Sequence, residues 1–161
     1  MSKAKHTDSE YTIGEAYRYL ANAKETLGKS QIEYGRYSDS KYVREAAGMA
    51  YLAALKALDV YLISVGIERA RLPKSIDGYW DLIRRKIPLN GKLTAALNTV
   101  YEDLHVFAYY RGGVDTAMVK SGFENARKVI EMINKLMLKK TSQGIVCEPK
   151  TSYKTKDKVI I

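Results

Sequence analysis

A chain of 161 residues, 46% hydrophobic and 28% charged, is long enough to bury one core and ordinary for a globular domain. Its single cysteine excludes an internal disulfide, and one thiol with two histidines is too few for a structural zinc site. The formal charge of +9 suits RNA, DNA or acidic protein partners, and equally serves solubility alone.

The opening MSKAKHTDSEY lacks the apolar stretch of a secretory signal. Residues 1–10 read as a flexible N-terminus and the protein as cytoplasmic. Helix-period patterns then dominate. A first helix over about Thr12 to Leu27 carries Ile13, Ala16, Tyr17, Leu20, Ala23 and Leu27 at three- and four-residue spacing. GKSQIEYGRYSDSKY is a polar, tyrosine-rich connection with room for another helical turn, and Ser38 or Asp39 can cap the next helix. That helix, about residues 40 to 66, is apolar nearly all round, as a central bundle helix or an interface helix must be. Its length suits a membrane span, but Lys56 and Asp59 at its middle would each cost roughly 2.5–3.5 kcal/mol there. No membrane association is expected. The two charges, at i and i+3, pair with one another or with a neighbour.

Gly66 ends that helix, and Pro73 introduces a short one over about Ile76 to Lys86. A fourth runs from about Asn90 to Tyr110, closed by Gly112 and Gly113. A fifth runs from about Asp115 to Lys139 on a stripe of Val119, Phe123, Ala126, Ile130, Ile133 and Met137. Short connections favour antiparallel neighbours. The reading is an all-α, antiparallel up-down bundle of four long helices plus one short helix over residues 11–139. Residues 140–161 form a basic tail, and from residue 139 onward the chain carries six lysines against Glu148 and Asp157. It is flexible, or it orders by strand addition or docking on a partner.

Four groups tempt a functional reading. In LHVFAYYRGG, on an α-helical wheel with Leu104 at zero, Arg111 falls near about −20°, on the core stripe with Leu97, Val100 and Phe107. An arginine there needs a carboxylate such as Asp59, Glu45 or Glu68, or it meets a phosphate at the bundle mouth. Tyr109, Tyr110 and Lys56 are the residues that would assist it. Glu102 and His105 have the Glu-x-x-His spacing of di-iron bundles. A second such pair and two further glutamates are missing, so they read as a solvated i,i+3 pair. Arg84, Arg85 and Lys86 beside Trp80 form the best basic-aromatic patch for nucleic acid, and a solvated face otherwise. Two histidines, one near the N-terminus, leave little for nucleophilic catalysis. No catalytic residue, metal or cofactor is assigned.

AYRYLANAKETL, YLAALKALDVYLISVGIE and the Tyr109-Tyr110-Arg111 string resemble the HEPN domain family over about residues 12 to 138, as an uncharacterised bacterial branch. The resemblance implies an HEPN-like bundle that dimerises. Some members are metal-independent endoribonucleases, often toxins, and others are accessory partners of nucleotidyltransferases. The nuclease members carry a histidine four to six residues after an arginine, whereas Arg111 is followed by Gly112, Gly113, Val114, Asp115, Thr116, Ala117 and Met118. The expectation is a homodimeric, non-catalytic module binding a nucleotide, RNA or a nucleotidyltransferase- or toxin–antitoxin-type partner. An endoribonuclease with a divergent site and a purely structural dimeric protein are the alternatives.

Overall fold

The computed structural model describes residues 10–151, with side chains as far as 142. Helix α1 spans Ile13–Leu27 and begins where Thr12 accepts a hydrogen bond from the Glu15 amide at 3.1 Å. That is the side-chain cap a helix start requires, because its first amides have no partner within the helix. Instead of a helical turn, the polar connection makes a hairpin, β1 (Ile32–Glu33) with β2 (Arg36–Tyr37), in the register Ile32↔Tyr37 and Glu33↔Arg36. Its two turn residues, Tyr34 and Gly35, have φ of 51° and 74°. A two-residue loop with both residues left-handed matches the twist of the strands. The tyrosine bears the strain that a glycine would avoid, and its ring stands fully in solvent.

Helix α2 spans Ser40–Ser64, capped by Asp39 on the Lys41 amide. Six of its alanines, from Ala46 to Ala57, have no exposed surface, and so small a contact face lets other helices approach closely. A short 3₁₀ turn, Arg69–Arg71, leads to α3 (Ile76–Lys86) and α4 (Gly91–Val100). The same rod then continues as a π-helix, Tyr101–Tyr110, before α5 (Thr116–Thr151). α5 continues beyond the expected end at Lys139. The residues after Thr151, like the N-terminal nine with His6, lie outside the described ones.

The long helices alternate in direction. Lys56 lies over the Tyr19 ring while Lys29 lies over Tyr42, so α1 and α2 are antiparallel. Arg44 reaches Tyr109 and Tyr51 reaches Tyr101, so the π segment also runs against α2. The hairpin holds Val114 near the start of α2, and Lys140 donates to the Ser64 carbonyl, so α5 runs parallel to α2. The core lies between these four, with Leu58, Leu62, Leu97, Leu104, Ile130 and Ile133 fully buried. α2 is long and apolar enough to cross a membrane, but more than half of its span is buried by the bundle, as in a core helix.

Candidate ligand-binding site

The π-helix decides what the fourth rod displays. Ladders of this kind are rare and are often found at functional sites. Bonds of the i→i+5 type, such as the Arg111 amide to the Val106 carbonyl at 3.0 Å, advance the chain by roughly 80° per residue instead of 100°. Seven residues beyond Leu104, that difference carries Arg111 from the core stripe to the far side. Arg111 is exposed, and among the described residues it forms no ion pair with Asp59, Glu45 or Glu68. The expected inward arginine is therefore corrected. Arg44 of α2 serves that helix end, donating to the Tyr109 carbonyl at 2.9 Å and more weakly to that of Tyr110. Two carbonyls left without amide partners and a cation at a helix C-terminus suit one another.

Four-residue spacing places Tyr101, His105 and Tyr109 in one column, and α2 adds Tyr51. The imidazole of His105 stacks on Tyr51 at 4.7 Å, on Tyr101 at 5.4 Å and on Tyr109 at 5.9 Å between ring centres. His105 is half-buried among rings while Glu102 is exposed, so the expected solvated pair between them is not what the helix presents. Trp80 closes on Tyr101 edge-on at 5.6 Å. Rings at these separations prefer offset and edge contacts, which fixes the wall without a covalent tie.

Tyr51 and His105 are shared by two cavities. One, of about 480 Å³, is bordered by Tyr101, Tyr79 and the chain from Pro73 to Asp77, including Lys74. The other, of about 450 Å³, is lined by Arg44, Glu45, Gly48, Met49, Leu52 and Tyr109 and is almost wholly apolar. Behind the first, the Tyr79 hydroxyl donates to Asp59 at 2.8 Å. Burial raises the Asp59 carboxyl to about 6, with the Tyr79 bond and nearby Lys56 opposing the rise. Burial, and then the Asp59 charge, pushes the Tyr79 phenol up. Burial, assisted by Tyr101, pushes Tyr51 up to about 12. At neutral pH both phenols are hydrogen-bond donors. The first cavity therefore offers flat rings, neutral hydroxyls and a lysine at its edge, an arrangement for holding a planar ligand with an anionic group.

The other sequence candidates lie apart from it. Tyr109 lines the apolar cavity, Tyr110 is 73% exposed, and Lys56 sits 4.7 Å over the Tyr19 ring, on the α1 side of α2. Arg84 and Arg85 both pair with Asp81, and Lys86 is exposed nearby, so these three form a solvated face with Trp80 turned to the core side. Lys74, Tyr51, Tyr79, Tyr101 and Arg44 were not among the sequence candidates. The four-residue spacing of Tyr101, His105 and Tyr109 was the one available signal, since it marks a column in either kind of helix.

Among the described residues no three His, Cys, Asp or Glu side chains are grouped to hold a metal. Residues 11–135 match a family described as a domain of unknown function, DUF5618. A solved structure, a protein of unknown function from Dyadobacter fermentans, is similar at 35% identity with a TM-score of 0.67, covering 78% of this chain and 94% of that one. No curated protein matches.

Proposed function

The chain belongs to the DUF5618 family, and from that premise we propose that it is a cytoplasmic, non-catalytic module that binds a nucleotide or a single-stranded RNA base in the cavity beside His105. The observation that carries this reading is the aromatic wall of Tyr51, Tyr101 and His105 with Lys74 at the same cavity. Any base can stack on such a wall, a contact worth roughly 1–3 kcal/mol, while lysine meets the phosphate. The net positive charge supports the same ligands at longer range. Kinship with HEPN-like bundles, carried by the helix order and the Tyr109-Tyr110-Arg111 string, is part of this proposal.

The test is fluorescence anisotropy of a labelled RNA oligonucleotide across a salt series. Affinity is expected to fall steeply with salt and to drop roughly 10- to 100-fold in Tyr101→Ala, and less in Lys74→Ala. Arg111→Ala, remote from the cavity lining, is expected to have a smaller effect. Absence of binding at low salt, or binding indifferent to Tyr101→Ala, would overturn the reading. RNA cleavage that survives repurification and disappears in Arg111→Ala would restore an enzymatic one.

A further inference from the structure

Away from His105, the end of α1, the hairpin and the first turns of α5 border two adjoining cavities of about 280 and 420 Å³. Lys24, Leu27 and Tyr37 line both, while Phe123 and Lys120 complete the smaller. Tyr37 is only 5% exposed, yet its hydroxyl forms no hydrogen bond among the described residues. Nor is it sealed in the core: the side-chain polar atoms buried without a partner among the described residues are Trp80 Nε1 and Thr94 Oγ1. The hydroxyl therefore opens on the cavities that its ring lines. Burial alone pushes this phenol up, so it stays a donor at neutral pH. The neighbouring hydroxyl of Ser30 is already spent, accepting from the Asp39 amide at 3.0 Å and donating to the Gln31 carbonyl at 3.3 Å.

Both lysines are unspent as well. The carbonyls at the end of α1, where Lys24 stands, already accept from the amides of Gly28, Lys29 and Ser30. Glu124, one turn after Lys120 on α5, is held by Arg127 instead. Neither lysine forms an ion pair among the described residues. A buried residue's hydroxyl without an acceptor, two cations and an apolar floor are complementary to one kind of molecule. We propose that this groove binds a small apolar carboxylate, its aliphatic or aryl body on Leu27 and Phe123 and its carboxylate accepting from the Tyr37 hydroxyl beside Lys24 and Lys120. Apolar contact supplies most of the affinity, the hydroxyl fixes the head group, and the lysines select for an anion. None of these residues lines either cavity beside His105, so the inference does not rest on the ligand reading.

Titration of the full chain with octanoate, followed by calorimetry and by amide NMR shifts, tests it. Saturable binding is expected with a Kd of about 0.1–1 mM, the shifts centred on Leu27, Tyr37 and Lys120. Octanamide, with the same body and no charge, should bind about tenfold more weakly, and inorganic phosphate should not saturate. Tyr37→Phe should lower octanoate affinity about tenfold and leave the thermal midpoint unchanged, because the hydroxyl has no partner within the described fold. Lys24→Gln and Lys120→Gln should each weaken binding about two- to fivefold. Absence of saturation at about 10 mM octanoate, or a Tyr37→Phe chain that binds it as tightly as wild type, overturns the proposal. Phosphate binding as tight as octanoate's would reduce the groove to a pair of surface lysines. Octanamide matching octanoate would make it an apolar crevice, and either result rules out selection of a carboxylate.

Discussion

The two cavities that share Tyr51 and His105 differ in how their chemistry was assembled. The one bordered by Lys74 draws on α2, α3, the π-helix and the loop before α3, and holds hydroxyls backed by a half-buried carboxylate. The other is built mainly from one stripe of α2 with the end of the π-helix, and is apolar between Arg44 and Glu45. A surface assembled from distant segments can place unlike groups around a small ligand. A surface made by one helix repeats that helix's period, which suits another helix better.

The contrast breaks most severely at the shared wall. Tyr51→Ala removes the ring that meets both His105 and Tyr101, and should lower unfolding free energy by about 2–4 kcal/mol by chemical denaturation. A loss below about 1 kcal/mol would mean that the cavities stand independently of this ring.

A pH series sharpens the polar side. With its pKa raised to about 6 in the fold, Asp59 favours the folded state while protonated. That contribution is complete below the ordinary carboxylate range and is lost as pH rises through about 6. Discounted for partial exposure, it amounts to about 1–2 kcal/mol. Wild-type stability should fall between about pH 4 and pH 7, and Asp59→Asn should flatten that slope. An equally steep fall in the variant would assign it to another group.

At the apolar side, Arg44→Ala should cost about 1 kcal/mol through the lost carbonyl contacts at the end of the π-helix. Arg111→Ala should be nearly neutral, and thermal melts of the pair discriminate between them. The smallest effects come from two glycines. A Cβ at Gly48 would come within 3.2 Å of the Tyr109 ring, which is exposed and can yield, so Gly48→Ala should stabilise by about 0.5 kcal/mol through helix propensity. A Cβ at Gly78 would come within 2.9 Å of the Pro73 Cβ, which is anchored to the backbone, and the same propensity gain should be cancelled or reversed.

The fold was largely legible because helical period survives without knowledge of neighbours. Ala16, Leu20 and Ala23 on α1, and Val119, Phe123, Ala126, Ile130 and Ile133 on α5, are buried as their spacing implies. The hairpin was not legible, since Tyr34 at positive φ goes against what a bulky residue prefers and is sustained by tertiary bonds. Arg111 was misplaced for a sharper reason: one helical period was assumed for a rod that uses two. The wall around His105 was half legible. Its column on the π-helix follows from spacing, but Tyr51 and Tyr79 enter from other helices, and no local pattern announces a partner twenty or fifty residues away.

The hairpin also alters the thermodynamic status of α5. Thr116 donates both its amide and its hydroxyl to the Gly35 carbonyl, at 3.1 and 3.0 Å, and the Tyr37 amide donates to Val114. The start of the last helix is thereby fastened to a turn 81 positions earlier in the chain. Fraying of that helix end and opening of the hairpin become a single cooperative event with one opening free energy. The amides of Thr116 and Tyr37 are expected to exchange with solvent together, as one unit that spans both halves of the sequence.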